Sequence, residues 1–516
     1  MFDNPLLYRP SAIPRRSEGM AYVEVAPGGR YFMTTDGKPF LAIGHNDAMV
    51  WPTLLCMHYE QDLASVEAYI KMLAEHGVTV LRIMLEYCQD DEWYFENPVG
   101  QPLPEAVLYW DDLIGLCECY GVRLLISFWD TFFMSRRWEH HPYSKGSSGF
   151  DGPGSFCTSP SAFEAQKGRI SFFIERWGNS PAIFAYDLLN EIHPYWGGTP
   201  EEQHRWVGEM ARFVKGYEME RWGKRHLLTV SIFGSKPENG YDELILRHPE
   251  LDFASTHVYE FGLVDNPDNS IDCAVVMSDA VKFALEQMPV SRPFTDSESG
   301  PIHLFMDLHR QLEEPFESEY YHNMSWAHLA TGGAGSGMRW PFRVPHCLTP
   351  EMHLVQRGMS RFAAACNLDW LTFAPELGGH LLGLRNRSDA SATAASVLLF
   401  GCLDGTQALV WLLRDSRIAL DPESVDLDLC IERMEPGQYI AEFWETYSGE
   451  KLGEVVCCSV GSLTSPVQVG TASLIAASLR DVQPTGGATL RIALPSFTLD
   501  LAVTIKLQSS GQGRSL

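Results

Sequence analysis

The chain has 516 residues, too many for one ordinary domain, and its 45% apolar content and 14 tryptophans supply a large core with aromatic residues to spare. Against 39 basic residues stand 66 acidic ones, a formal charge of −27 that repels a phosphate backbone or an anionic membrane surface. Nucleic acid and membrane are therefore not expected as partners.

The first residues, "MFDNPLLYRPSAIPRRSEG", hold no apolar run of signal-peptide length, and no later stretch reaches about 18 uninterrupted apolar residues. A cytoplasmic protein is expected from the chain as given, or a secreted one if a leader has been removed. A hairpin turning at "PGG" (27 to 29) comes next. Eight β-like runs follow: "FLAIG" (40 to 44), "VTVLRIML" (78 to 85), "VRLLISFW" (122 to 129), "AIFAYDLLN" (182 to 190), "LLTVSIF" (227 to 233), "LDFASTHVY" (251 to 259), "RPFTDSE" (292 to 298) and "GAGSGMRW" (333 to 340). The segments between them carry helical apolar spacing, as at Val66, Tyr69, Ile70 and Leu73, and several stop at a glycine, Gly77, Gly121 or Gly223. Eight β/α units predict an α/β fold, a (β/α)8 TIM barrel whose chemistry lies at the C-terminal ends of its strands.

From about residue 375 the pattern becomes alternating strands separated by Gly, Ser, Asp and Pro, as in "ASVLLFGCLDGTQALVWLLRD" and "TLRIALPSFTLDLAVTIKL". The expected organisation is a catalytic barrel with its N-terminal hairpin over residues 1–370 and a C-terminal β-sandwich accessory domain over 371–516. The sandwich is expected to cover the barrel's flank rather than to bind sugar. Of the 12 cysteines most lie in apolar segments, including Cys88, Cys117, Cys119, Cys366 and Cys402, without metal-ligand spacing, and are read as buried free thiols.

On such a barrel Asn190 and Glu191 fall at the tip of the fourth strand and Glu298 at the tip of the seventh, facing each other across the mouth although 107 positions apart. Retaining glycosidases need two such carboxyl groups, about 5 Å apart, one to protonate the leaving oxygen and one to attack the anomeric carbon. Glu191 is the expected acid/base, and Asn190 a neutral partner for the sugar's 2-hydroxyl. Taken singly, each residue has a plainer reading: a solvated strand-end carboxylate, an ion-paired arginine, a satisfied core histidine or a core tryptophan. The combination, on the expected strands in the expected order, outweighs those readings.

Over roughly residues 30 to 365 the chain resembles the clan A glycoside hydrolases, and most closely family 5, the cellulase and mannanase family. The resemblance rests on "LLNE" closing strand four and on Pro293, Glu298 and Gly300 in the family's nucleophile pattern. It implies that Glu298 is the nucleophile, that Arg82 hydrogen-bonds it, and that Tyr259 of the strand-six pair His257 and Tyr259 touches it. It also implies that Trp340 floors the subsite of the sugar being cleaved. Trp129 stands where many family members have a strand-three histidine, which bears on the substrate subgroup and not on the reaction.

In the long loop after strand three (131 to 157) Trp138 and Tyr143, and after Glu191 the residues Tyr195 and Trp196, are either a sugar-stacking wall or packing for the loops themselves. His140 and His141 are adjacent and diverge, so no metal site is assigned, and no cofactor is expected. The expected partner is a carbohydrate, namely β-linked gluco-, manno- or galacto-configured oligosaccharides, with a secreted endo-β-mannanase or endo-β-glucanase acting on polysaccharide as the alternative. A metal-dependent amidohydrolase would need His-x-His on strand one, where the chain reads "GHND". A non-catalytic carbohydrate-binding protein on the same barrel would have lost a carboxylate, and both are present.

Overall fold

Strands whose two faces are both covered need apolar residues throughout, and each of the eight runs yields a short parallel strand buried at every position. These are β1 (Ala42–Asn46), β2 (Val80–Met84), β3 (Arg123–Ser127), β4 (Ile183–Asp187), β5 (Leu227–Thr229), β6 (Ala254–Val258), β7 (Phe294–Ser299) and β8 (Gly335–Arg339). The structure, a computed structural model, describes residues 19–508 except 60–61, 90–92, 145–149, 261, 265, 267–268, 289–290, 303–315, 344, 388–395, 416–426 and 461–488.

The strands pair in the order β5-β4-β3-β2-β1-β8-β7-β6. The ring closes past the end of β5, where Phe233 bridges His257 in parallel and the His257 amide donates to the Ile232 carbonyl at 2.9 Å. One long helix follows each strand except the fifth, whose helix is short: α1 (Leu63–Glu75), α2 (Pro104–Tyr120), α3 (Pro160–Trp177), α4 (Pro200–Trp222), α5 (Tyr241–Leu246), α6 (Asp272–Gln287), α7 (Phe316–Ala330) and α8 (Pro350–Ala365). Local chemistry sets their ends. Thr199 and Glu202 form a capping box on α4, proline opens α2, α3, α4 and α8, and α2 and α4 stop at Gly121 (φ 79°) and Gly223 (φ 67°), a left-handed conformation that glycine adopts without strain. The predicted hairpin is present as Val23–Val25 paired with Phe32–Thr34. Its Phe32 ring meets Phe184 and Phe253 edge-on at 5.0 and 5.5 Å, which plugs the N-terminal end of the barrel and leaves the other end for chemistry.

The C-terminal domain is the expected β-sandwich. Among the described residues nine antiparallel strands, β9 (Glu376–Leu377), β10 (Leu382–Asn386), β11 (Val397–Leu403), β12 (Gln407–Arg414), β13 (Leu427–Ile431), β14 (Gln438–Glu445), β15 (Glu450–Val460), β16 (Thr489–Ala493) and β17 (Asp500–Leu507), run in the order β9-β11-β12-β17-β14-β15-β16-β13-β10. The long β15 belongs to both leaves, pairing with β14 along most of its length and with β16 at Ser459 and Val460. Side chains alternate along β12. Ala408, Val410 and Leu412 enter the sandwich core, whereas Leu409, Trp411 and Leu413 join the core of the barrel. That double burial is why this strand reads as a continuous apolar run. Among the described residues no two cysteines form a disulfide; Cys88, Cys117 and Cys402 are buried as expected, but Cys366 is only partly buried and Cys119 is exposed on the outer face of α2. Among the described residues no helix is long and apolar enough to cross a membrane.

Candidate active site

Arg82, central in β2 and fully buried, organises the mouth of the barrel. One terminal nitrogen donates to Glu298 Oε2 at 2.7 Å and Asn46 Oδ1 at 2.9 Å; the other donates to Asp187 Oδ2 at 3.0 Å and to Asn190 Oδ1. A single guanidinium thus ties the middle of β2 to the ends of three other strands, β1, β4 and β7. Burial works against its charge, but Glu298 and Asp187 more than compensate and keep it protonated. The second oxygen of Glu298 accepts from the Tyr259 hydroxyl at 2.8 Å. Burial first, and then the Glu298 charge, hold Tyr259 well above its ordinary range, so it remains a donor.

Glu191 stands opposite. Its backbone lies in the left-handed region with φ 49°, costly for a side chain with a Cβ, and is held there because its amide donates to Ser231 Oγ at 3.1 Å. Ser231 is itself fixed by Asp187, which accepts from the Ser231 hydroxyl at 2.8 Å and amide at 3.1 Å. The turn aims the Glu191 carboxyl at Glu298, and one oxygen of each, together with a nitrogen of His257, lie within 4.8 Å of one another. Burial pushes the Glu191 carboxyl up to about 7, with Arg82 opposing and Asp187 adding to the rise.

His257 Nδ1 lies 2.8 Å from Glu191 Oε1, and its Nε2 lies 3.1 Å from Ser297 Oγ. Burial lowers this imidazole to about 4, so it is neutral. Ser255 donates to Ser297 Oγ, which leaves the Ser297 hydroxyl proton for Nε2 and places the ring proton on Nδ1, where it can support a Glu191 carboxylate. Ser297 reaches His257 because β7 bulges between Asp296 and Glu298, an extra residue that re-aims the side chain.

The structure therefore brings together Glu191, Glu298, Asn190, Arg82, His257 and Tyr259. Trp340 stands at the end of β8, half-buried, its amide donating to the Ser299 carbonyl at 2.7 Å and its ring edge-on to Trp51 at 4.6 Å. Two of the other aromatics, Trp129 and Trp196, require correction. Trp129 has no accessible surface: its indole nitrogen donates to Tyr143 Oη at 3.3 Å and the Arg169 guanidinium lies 5.4 Å over its ring, so it packs the loop rather than facing a sugar. Trp196 is likewise buried, edge-on to Phe156 at 5.3 Å, and Trp138 is half-buried, stacked on His141. A buried charge explains this. Arg169 donates to Glu86 and Glu96 at 2.8 Å each, and the rings of Trp129 and Tyr143 wall it off from water.

Among the described residues two clusters have donors close enough to hold a metal ion, Glu191 with His257 and Glu298, and Glu86 with Cys88 and His141. In each, a buried arginine already pairs with a carboxylate: Arg82 with Glu298 and Arg169 with Glu86. A fixed positive charge there opposes a cation. Asn46, Asp187, Ser231 and Ser297 were missed as site residues. Asn46 and Asp187 are polar residues at the C-terminal ends of otherwise apolar strands, which is a readable signal; the serines acquire meaning only from their partners.

The fold is the family 5-like fold of the clan A glycoside hydrolases. No family profile matches the chain. Two solved structures share its fold over both domains: a glycoside hydrolase with TM-score 0.58 and 13% identity, covering 97% of this chain and 99% of that one, and a glycoside hydrolase family 5 protein from Bacteroides vulgatus with TM-score 0.57 and 11% identity, covering 96% and 95%. In sequence the chain is similar to a probable mannan endo-1,4-beta-mannosidase A-1 of Aspergillus terreus, 24% identical over 47% of this chain and 66% of that protein. It is also 25% identical to mannan endo-1,4-beta-mannosidase 1 of Solanum lycopersicum, over 43% of this chain and 60% of that protein.

Proposed function

We propose that the protein is a retaining β-glycoside hydrolase acting by double displacement on β-1,4-linked manno-configured carbohydrate. The observation that carries the reading is the approach of the Glu191 and Glu298 carboxyl oxygens to within 4.8 Å from opposite sides of the mouth. Inverting enzymes hold their carboxyl groups farther apart, to admit a water between sugar and base.

The environments of the two groups divide the work. Arg82 and Tyr259 donate to Glu298, which fixes it for attack on the anomeric carbon. Glu191, partly buried and raised to about 7, keeps its proton and delivers it to the departing oxygen. Once Glu298 is esterified its negative charge is gone, the Glu191 proton is held less firmly, and Glu191 takes a proton from the water that attacks the glycosyl ester. Asn190, oriented by Arg82 and by its amide donating to Thr131 Oγ1 at 3.2 Å, is the partner we assign to the sugar 2-hydroxyl. Trp340 is assigned as the apolar floor beneath the reacting ring. The manno configuration is taken from the two mannosidases to which the sequence is similar.

Proton NMR of the first reducing sugar released from a β-linked mannooligosaccharide tests the mechanism. The β-anomer is expected before mutarotation; initial α-anomer would overturn double displacement.

A further inference from the structure

Buried backbone groups must find partners, and in a parallel barrel they normally find them on the two neighbouring strands. β7 and β8 depart from this: among the described residues their register pairs them at one position, Ser299 with Arg339. An imidazole stands between the strands farther down. His328 of α7 has no accessible surface, receives the Asp296 amide of β7 on Nε2 at 3.0 Å, and holds Nδ1 2.8 Å from the Gly335 carbonyl of β8. A carbonyl can only accept, so the ring proton sits on Nδ1, which leaves Nε2 bare for the amide. Burial lowers this imidazole to about 4, so near neutral pH it keeps the uncharged form that both bonds require. Glycines make room for it: a Cβ at Gly333 would lie 2.3 Å from the ring, and one at Gly337 3.6 Å from it.

Elsewhere in the core such a ring would bear on stability alone, but this one grips the strand that carries Glu298. Asp296 is the last residue of β7 in regular register with β6, opposite Thr256; the strand then bulges, and Glu298 stands opposite His257. A slip of one residue along a strand turns every side chain to the other face, and a bulge re-aims the side chain beside it. Where the bulge begins therefore decides whether the Glu298 carboxyl meets Arg82 and Tyr259, at 2.7 and 2.8 Å. The β6 side of β7 shifts register at this point, so the hold on the Asp296 amide comes from His328, on the opposite side.

We propose that His328 is a positioning residue for Glu298: its ring, wedged between β7 and β8, fixes where the bulge begins and thereby the aim of the attacking carboxylate. The assignment rests on Glu298 as the nucleophile. His328 is buried on the helix behind the strand and reaches no sugar, so its loss slows the attack and leaves the binding of sugar in place.

The test measures kcat/KM for a dinitrophenyl β-mannoside, whose cleavage needs the nucleophile but no acid, and the inhibition constant of β-1,4-mannobiose, which reports binding alone. In His328→Leu, which removes both hydrogen bonds, kcat/KM is expected to fall between about tenfold and about a hundredfold, carried by kcat, with the inhibition constant within about twofold of the wild type. His328→Gln offers an acceptor and a donor again and is expected to recover most of the rate. If His328→Leu does not fold, His328→Asn serves, because its side chain is too short to reach the Asp296 amide, and the same split between rate and binding is expected. An unaltered kcat/KM in the folded variant would show that Glu298 is aimed without the ring. Equal losses of rate and binding, or a His328→Gln no better than His328→Leu, would show that the ring only packs the core; each of these results overturns the proposal. A wild type inactive on every β-glycoside would instead overturn the glycosidase reading beneath it.

Discussion

Glu191 occupies a backbone conformation that asparagine or glycine would adopt more cheaply, and partial burial raises its carboxyl to about 7. The sign of the consequence is definite. The folded protein holds this proton to higher pH than the unfolded chain, so keeping Glu191 costs stability that appears as pH rises from about 4.5 to about 7 and persists above. Glu191→Gln is therefore expected to raise the thermal midpoint at pH 8 more than at pH 5, by up to about 3 kcal/mol in stability. The same variant loses activity on substrates with unactivated leaving groups, while the wild-type kcat/KM falls above about pH 7 as the acid ionises. A midpoint difference independent of pH would show that Glu191 titrates normally. At this scale much of the site was legible, because Arg82, Glu191, His257, Tyr259 and Glu298 all stand at or near strand ends, where β/α periodicity gives position. Ser231 and Ser297 were not, since neither a loop serine nor a bulge is visible before the strands are paired.

Among the elements, the loop after β3 shows what a sequence withholds. Its aromatics were read as either a wall for sugar or packing, because residue type does not give direction. Arg169 on α3 decides for Trp129 and Tyr143: paired with Glu86 and Glu96 and walled by their rings, it pins the loop to the segment after β2. Against burial, Arg169 and His141 hold the Glu86 carboxyl down at about 2. Arg169→Met strands two buried carboxylates and is expected to cost about 3–5 kcal/mol, read as a fall in the urea midpoint at pH 7. That loss shrinks as pH drops below about 4.5, where the unfolded chain begins to take up protons that wild-type Glu86 refuses. A variant as stable as the wild type at pH 7 would refute this account of the loop. The eight strands were legible for the opposite reason, since burial on both faces leaves an apolar run with few alternative readings.

For the whole molecule, the question is how the barrel and the sandwich behave as one. The sandwich offers the barrel an apolar sheet face, with Trp411, Trp444 and Ala502 joining the barrel core. Asp500 sits at the centre of this contact, accepting from Trp411 Nε1 at 2.7 Å and Thr446 Oγ1 at 2.8 Å and lying 2.8 Å from His322 Nε2 of α7. Asp500→Ala leaves these buried groups without a partner and is expected to cost about 2–4 kcal/mol, with calorimetry still showing one transition at a lower midpoint. Two separate transitions in the wild type would mean that the domains fold independently. Alternating strands predicted the sandwich, but its mode of attachment was hidden, because an apolar run such as "QALVWLL" does not say that its two faces enter different cores.

The assignment of roles to Glu191 and Glu298 meets its most direct test in the stereochemistry of azide rescue. Glu191→Ala should still form the glycosyl ester from a dinitrophenyl β-glycoside, whose leaving group needs no proton, and then stall for want of a base. Azide needs no deprotonation, so it should restore turnover and give the β-glycosyl azide. An α-glycosyl azide from Glu191→Ala would mean that the two roles are exchanged, and undiminished activity in this variant without azide would mean that the chemistry lies elsewhere in the chain.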